Sequence, residues 1–157
     1  MKFKQNDTPD FETAYKKAAE LCSKSEKCRF EIRTKLNSWG VQAGETETII
    51  EKLIQQKFID ENRFANAYAN DKFKYNKWGK NKIRAYLKAL EIDGLLIQKA
   101  VNNISVSEYK TTAKKLISDK AKSIKEENLF QKKAKIMNFM MSKGFESELI
   151  MEIIEKM

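Results

Sequence analysis

Residue types that carry catalytic chemistry are scarce in this chain. Its 157 residues include no histidine, which excludes histidine-based acid–base catalysis and histidine-ligated metal sites. The two cysteines, Cys22 and Cys28, form no CxxC redox motif, and two thiols alone do not complete a zinc site. A disulfide between them is the alternative, but without a secretory signal we expect both thiols to be reduced and buried as small apolar side chains.

Two pairs of adjacent carboxylates, Asp60-Glu61 and Glu126-Glu127, are the remaining catalytic candidates. Such a pair could hold a divalent cation in a nuclease-like site, although adjacent carboxylates on helices normally face water. The sequence has no glycine-rich phosphate loop and no GxSxG motif. We therefore predict that the protein is not an enzyme and has no catalytic residue, metal site, cofactor or small-molecule substrate. A metal-dependent nuclease is the alternative.

Basic side chains are more informative. The chain has 31 Lys and Arg residues against 22 Asp and Glu residues, a net charge of +9 that favours anionic partners. The segment from Lys72 to Leu90 contains seven basic residues and no acidic one. Within it, Lys80, Arg84 and Lys88 recur every four residues, so they share one helix face, where like charges repel one another. We predict that an anionic partner relieves this repulsion.

The elements that position these side chains are predicted to be helices. Proline occurs once and glycine five times, and apolar residues recur at helical spacing along the chain. Thr8-Pro9 is expected to begin the first helix, Ser25 the second and Asp60 the fourth, while Trp78-Gly79 ends the fourth. Ser105-x-x-Glu108 has the spacing of a capping box at the start of the seventh.

The helical pattern occurs three times. The segment 31–41 aligns with 82–92 and with 135–145, at offsets of 51 and 53 residues, and Gly40 coincides with Gly144. Single repeats of this length cannot bury their apolar faces alone, so neighbours should stack. We predict an all-α fold of three tandem three-helix repeats in an elongated array. The expected boundaries are a tail at 1–9 and repeats at 10–59, 60–104 and 105–157.

The repeat alignment extends the basic face into a ridge across repeats one and two. Three of the four arginines, at 29, 33 and 84, lie on this stripe, and arginine can bind phosphate or carboxylate in bidentate geometry. The predicted binding residues are Arg29, Arg33, Lys72, Lys74, Lys77, Lys80, Lys82, Arg84 and Lys88. A second set of candidate contacts comprises Asp60, Arg63, Trp78, Met137 and Met141.

Each of these assignments has a structural alternative. The ridge can be a solvated face, and the two methionines can be buried. Asp60 can cap its helix, and Arg63 can pair with Asp60 or Glu61. Tyr75 and Trp78 lie among lysines and could stack on exposed bases, but a tryptophan beside Gly79 can equally pack over a helix–helix turn.

No run of apolar residues exceeds three, so no membrane span is expected, and no apolar stretch follows the charged residues 1–6 to make a signal peptide. We expect a cytoplasmic protein with no membrane partner.

The segment 58–92 resembles the RecX family, whose members regulate the bacterial recombinase RecA. The family pattern is an apolar–acidic–acidic–x–Arg-Phe-Ala run, then a glycine, then an Ile…Leu helix ending in Gly-Ile. The residues that match it are Ile59, Asp60, Glu61, Arg63, Phe64, Ala65, Gly79, Ile83, Leu87 and Ile92. A weaker match to the family's N-terminal helix pair involves Leu21, Ser25, Glu31, Ile32, Lys35 and Leu36. Cys28 stands where the family usually has serine, and Lys57 and Glu91 stand where glycine is common.

The resemblance implies a curved, three-repeat protein that lodges in the groove of the RecA–DNA filament. It implies inhibition of the ATPase, strand-exchange and coprotease activities of RecA, with effects on DNA repair, homologous recombination and the SOS response. The predicted partners are thus the RecA filament and single- or double-stranded DNA through the basic ridge. The alternative is a basic helical DNA-binding protein that acts without a recombinase.

Overall fold

The computed structural model describes residues 7–157, so most of the predicted tail, residues 1–6, lies outside the described residues. The described part is all-helical and contains no strand. Its nine helices are α1 (Phe11–Lys24), α2 (Arg29–Ser38), α3 (Ala43–Gln55), α4 (Glu61–Asn76), α5 (Lys80–Ala89), α6 (Gly94–Asn102), α7 (Val106–Ser123), α8 (Leu129–Ser142) and α9 (Ser147–Glu155). Successive trios pack among themselves, which confirms the predicted all-α array of three-helix repeats. No helix in the described range is long and apolar enough to cross a membrane.

The predicted repeat register is visible in the backbone. Gly40 (φ 83°), Glu91 (φ 59°) and Gly144 (φ 96°) occupy the aligned position after the middle helix of each repeat, and all three are left-handed. Such a residue ends a helix by turning the chain away from the helix axis. Glycine adopts this conformation without strain, whereas the side chain of Glu91 makes it costlier.

Two of the predicted helix starts are wrong. The side chain of Asp10 accepts a hydrogen bond from the N–H of Thr13 at 2.8 Å, so α1 begins after Asp10 and not at Thr8-Pro9. Ser25 ends α1 instead of beginning α2. The N-cap of α2 is Cys28, whose N–H donates to the Glu31 carboxylate at 3.3 Å. The start of α2 lies at Cys28 because the Cys28 thiol is buried in an apolar core that is formed mainly by repeats two and three.

Other predicted helix ends are confirmed. The carboxylate of Asp60 accepts from the N–H of Arg63 at 3.0 Å at the start of α4, and Trp78 and Gly79 separate α4 from α5. The hydroxyl of Ser105 accepts from the N–H of Glu108 at 3.3 Å at the start of α7.

The buried apolar residues form two cores of unequal extent. The first lies within repeat one and includes the fully buried Ile32, Leu36, Ile49 and Leu53. The second runs without interruption through repeats two and three. Repeats two and three therefore share one core, whereas Cys28 is the residue of repeat one that reaches into it.

The joint between repeats two and three depends on contact between two backbone segments. The N–H of Gly79 donates to the carbonyl of Lys143 at 2.7 Å, and the N–H of Asn81 donates to the carbonyl of Gly144 at 2.9 Å. A Cβ atom added to Gly79 would overlap the backbone of Gly144 and Phe145. Glycine is required at position 79 because the two backbone segments approach too closely to leave room for a side chain.

Tyr109 completes this joint. It is buried, with its ring centre 5.6 Å from that of Phe73 in repeat two and 5.2 Å from that of Phe145 in repeat three. Its hydroxyl accepts from the N–H of Lys80 at 3.0 Å and donates to the Glu146 carboxylate. Burial, reinforced by Glu146, raises the pKa of the hydroxyl well above its usual value, which keeps the proton available for donation.

The Gly79 contact predicts a large effect of one added methyl group. We expect Gly79→Ala to lower the free energy of unfolding by about 3 kcal/mol, because rigid backbone must move to make room. Gly94→Ala is the matched control, since no atom lies within 4 Å of the added Cβ. Urea denaturation measures both, and equal stability of the two variants would contradict the close-contact interpretation.

Tyr109→Phe should lower the free energy of unfolding by about 1–3 kcal/mol, because the N–H of Lys80 and the Glu146 carboxylate lose a buried partner. Tyr75→Phe, at a ring that is 75% exposed, should change it by less than about 0.5 kcal/mol. Thermal and urea unfolding of the two variants check this, and a neutral Tyr109→Phe would show that the hydroxyl is dispensable.

Candidate partner-binding surface

Seven of the predicted binding residues lie in repeat two, at the end of α4, on the turn after it and along α5. They form the basic surface, which comprises Lys72, Lys74, Lys77, Lys80, Lys82, Arg84 and Lys88. Lys77 takes the left-handed conformation after α4 (φ 57°), and Gly79 is the N-cap of α5. A sharp turn therefore joins the end of α4 to α5, whose cations extend from its first turn to Lys88 in its last turn. Across residues 7–157, no carboxylate forms an ion pair with any of the seven.

The first turn of α5 concentrates positive charge. It carries Lys80 and Lys82, has no acidic residue, and its Gly79 cap provides no side-chain acceptor. The N-terminal end of a helix is itself positive, so lysines there raise the electrostatic energy instead of lowering it. The first N–H groups of α5 are bonded to repeat three, so an anion on this surface would be stabilised by the lysine side chains and not by hydrogen bonds to the helix end.

Aromatic rings lie against three of these lysines. The amine of Lys80 is 4.9 Å from the ring centre of Tyr109. The amines of Lys72 and Lys82 lie 5.0 and 4.6 Å from the ring centre of Trp78, and Tyr86 packs on the same tryptophan at 4.7 Å between ring centres. Trp78 is half-buried and covered by its own neighbours, which agrees with packing over the turn better than with base stacking. Tyr75, in contrast, is 75% exposed.

Sequence reasoning missed Tyr86, which is 49% exposed and belongs to this cluster. A signal was present, since Tyr86 lies four residues after Lys82 and therefore on the same helix face.

The predicted arginines of repeat one lie in a different electrostatic environment. Arg29 contacts the Glu61 carboxylate at 2.9 Å, and Arg33 contacts Glu47 at 2.7 Å. The hydrogen bond from Arg33 lowers the pKa of the Glu47 carboxyl. The repulsion expected along this part of the ridge is thus relieved within the chain, and no external anion is needed for it. The prediction that Arg29 and Arg33 bind a partner is not tested by these contacts.

Arg63 pairs with neither of its predicted partners. Its guanidinium donates to the Glu26 carboxylate at 2.9 Å and to the backbone carbonyl of Lys57 at 3.0 Å. Asp60 is engaged as the α4 cap, and Glu61 accepts from Arg29. The Arg63–Glu26 and Arg29–Glu61 pairs therefore tie repeat one to repeat two.

The remaining candidate contact residues, Met137 and Met141, lie in repeat three and do not belong to the basic surface. Met137 is half-buried and packs against the core, whereas Met141 is 52% exposed near the end of α8. Both cysteines are free thiols; Cys28 is buried as predicted, but Cys22 is only half-buried. Burial raises the pKa of Cys22 to about 11 and that of Cys28 to about 12.

Three of the four carboxylates considered for metal binding are engaged by other groups of the protein. Asp60 caps a helix, Glu61 pairs with Arg29, and Glu126 contacts Lys135 at 3.9 Å. Within residues 7–157, no group of three or more His, Cys, Asp or Glu side chains is arranged to hold a metal ion.

Comparison with known proteins gives consistent matches. The family models described as RecX, second three-helix domain, and RecX, third three-helix domain, match residues 60–101 and 107–154, which together make up more than half of the chain. Regulatory protein RecX of Clostridium tetani is 30% identical over 142 residues, covering 89% of this chain and 65% of that protein. Regulatory protein RecX of Acinetobacter baylyi is 27% identical over 141 residues, covering 88% and 84%. The chain thus spans slightly less than two thirds of the Clostridium relative.

Solved structures show the same fold. The crystal structure of RecX from Lactobacillus salivarius superposes with a TM-score of 0.83 at 23% sequence identity, covering 93% of this chain and 95% of the other. A second crystal structure, of regulatory protein RecX, has a TM-score of 0.84 at 22% identity and covers 94% and 72%.

The two kinds of arginine environment predict different effects on stability. Arg84→Gln with Lys88→Gln should leave the free energy of unfolding within about 0.5 kcal/mol of the unmodified chain, because removing like charges on one face relieves repulsion. Arg63→Gln should lower it measurably, because Glu26 and the Lys57 carbonyl lose their donor. Urea unfolding at low and high salt checks both variants. If Arg63→Gln and the double variant changed the free energy of unfolding equally, the distinction between paired and unpaired cations would be wrong.

Proposed function

The chain belongs to the RecX family, and we propose that it is a non-catalytic regulator of the RecA recombinase that binds RecA–DNA filaments. The observation that carries the proposal is the match of two consecutive stretches, 60–101 and 107–154, to the second and third three-helix domains of RecX. We further propose that binding lowers the ATPase, strand-exchange and coprotease activities of RecA, and so acts on DNA repair and the SOS response in the cytoplasm.

The basic surface is the part of this chain that we assign to filament contact. Its seven cations have no carboxylate partner in residues 7–157, so an incoming phosphate or carboxylate does not have to displace one. The repulsion among Lys80, Arg84 and Lys88 falls when an anion binds, and this gain occurs only in the complex. The filament offers anions of two kinds, DNA phosphates and acidic side chains of the recombinase.

The paired arginines have a supporting role in this proposal. Arg29 and Arg63 bind glutamates of the neighbouring repeat, so they hold repeat one against repeat two. A partner that recruited either guanidinium would first have to break an ion pair. We therefore expect filament contact to depend on Lys82 and Arg84 more than on Arg29.

A second candidate function is DNA binding without a recombinase, which the same seven unpaired cations favour. Such binding is governed by counterion release, so the logarithm of the affinity should fall with that of the salt concentration, with a slope of about −0.9 per duplex phosphate contacted. A regulator that contacts protein as well as DNA should bind the filament at salt concentrations that abolish binding to naked DNA.

Co-sedimentation tests the proposal. RecA is assembled on single-stranded DNA with a slowly hydrolysed ATP analogue, and the chain is added across a salt series, with naked DNA and free RecA in parallel. We expect preferential binding to the filament near physiological salt. Equal binding to naked DNA that fades with salt and is indifferent to RecA would replace the regulator by the second candidate.

A matched pair of charge reversals tests the assigned surface. Lys82→Glu with Arg84→Glu should weaken filament binding by about tenfold or more and reduce inhibition of the RecA ATPase, because attraction becomes repulsion. Lys99→Glu with Lys122→Glu is the control, since it makes the same change in net charge at exposed lysines on α6 and α7. If both pairs weaken binding equally, the effect comes from net charge and the surface assignment is wrong.

A further inference from the structure

Helix α8 carries a second apolar stripe that is largely exposed, with only Met137 packed partly against the core. Phe130, Ala134, Met137 and Met141 are spaced by four, three and four residues, so they line one helix face. The core-facing residues of the same helix are Ile136 and Met140, both buried. Along the stripe, Phe130 is 83% exposed and Met141 is 52% exposed. A helix face this apolar and this exposed is typical of an interface.

Helix α9 forms the other wall of a groove beside this stripe. Met151, which is 50% exposed, and Ile154 face Phe130, Ala134 and Met137 across a volume of about 320 Å³. The two charged residues that line the groove have opposite signs, Lys133 on α8 and Glu155 on α9. Within residues 7–157, neither forms an ion pair.

We propose that this groove binds a second copy of the same chain, related to the first by a two-fold axis. In a two-fold interface each copy presents the same patch to the other, so Lys133 of one copy can meet Glu155 of the other, and the reverse pair forms at the same time. The apolar stripes then cover each other between the two ion pairs.

The charges of the groove argue for this occupant over others. Glu155 would repel DNA phosphates, and the groove offers them a single cation, Lys133. A uniformly acidic or uniformly basic partner would meet one like charge, whereas a second copy meets none. The groove lies in repeat three and the basic surface in repeat two, so this proposal stands independently of the recombinase proposal.

The first test is the mass of the full chain in solution. Sedimentation equilibrium from micromolar to millimolar chain concentration should show a monomer–dimer equilibrium. Phe130→Asp should shift it at least tenfold toward monomer, because it buries a charge among the apolar side chains of the interface. Phe130 is largely exposed, so this variant should fold, and circular dichroism verifies that. Tyr75→Asp, at an equally exposed ring on α4, should leave dimerisation unchanged.

A charge swap tests the two-fold geometry. Lys133→Glu and Glu155→Lys should each weaken self-association about tenfold, since each variant brings like charges together twice. An equimolar mixture of the two variants should associate like the unmodified chain, because both pairs are then complementary.

Three outcomes would overturn the proposal. One is a chain that is monomeric at every concentration, and another is dimerisation that Phe130→Asp leaves intact. The third is a mixture of the two swap variants that associates no better than either alone. A monomeric chain whose Phe130→Asp variant loses RecA-filament binding would assign the groove to the filament instead.

Discussion

The contact between Gly79 and the backbone of Gly144 is the constraint on which the rest of the structure depends. The turn after Gly79 begins α5, and its N–H groups bond to repeat three: Gly79 to the Lys143 carbonyl, Lys80 to the Tyr109 hydroxyl, and Asn81 to the Gly144 carbonyl. The first N–H groups of a helix have no partner within the helix, and a side-chain cap or an acidic residue usually satisfies them. Because repeat three satisfies them here, the start of α5 can carry lysines in place of acids.

The two joints of the array use different interactions. Repeats two and three share an apolar core, with Tyr109 between Phe73 and Phe145. Repeats one and two meet through Cys28 and through the pairs Arg29–Glu61, Arg63–Glu26 and, at 3.9 Å, Arg33–Glu91. Apolar packing is insensitive to salt, whereas half-exposed ion pairs are screened by it. The orientation of repeat one should therefore respond to ionic strength more than that of repeats two and three.

The basic surface and the apolar groove lie on different repeats. The basic surface covers the end of α4, the turn after it and α5 in repeat two, and the apolar groove lies between α8 and α9 of repeat three. Membership of the RecX family favours a recombinase filament as the partner of the first surface, while the opposite charges of Lys133 and Glu155 favour a second copy for the other. A regulator with both surfaces would present two basic surfaces to a polymer of repeated subunits, which raises its effective concentration at the second contact.

The sequence by itself determined the helices, their number and the register of the three repeats, because these follow from spacing along a few turns. Asp60 caps α4 and Gly40 and Gly144 end helices for local reasons, which a linear pattern records. The RecX family motif likewise lies in one continuous segment, residues 58–92, so it can be recognised without the fold. Only the tertiary structure decided which charges stay unpaired. Arg29 meets Glu61 and Arg63 meets Glu26 across 32 and 37 residues, and Cys28 replaces Ser25 as a cap because of a core formed by other repeats. Ion pairing depends on distances of a few ångströms in three dimensions, and those distances exist only after the repeats have packed.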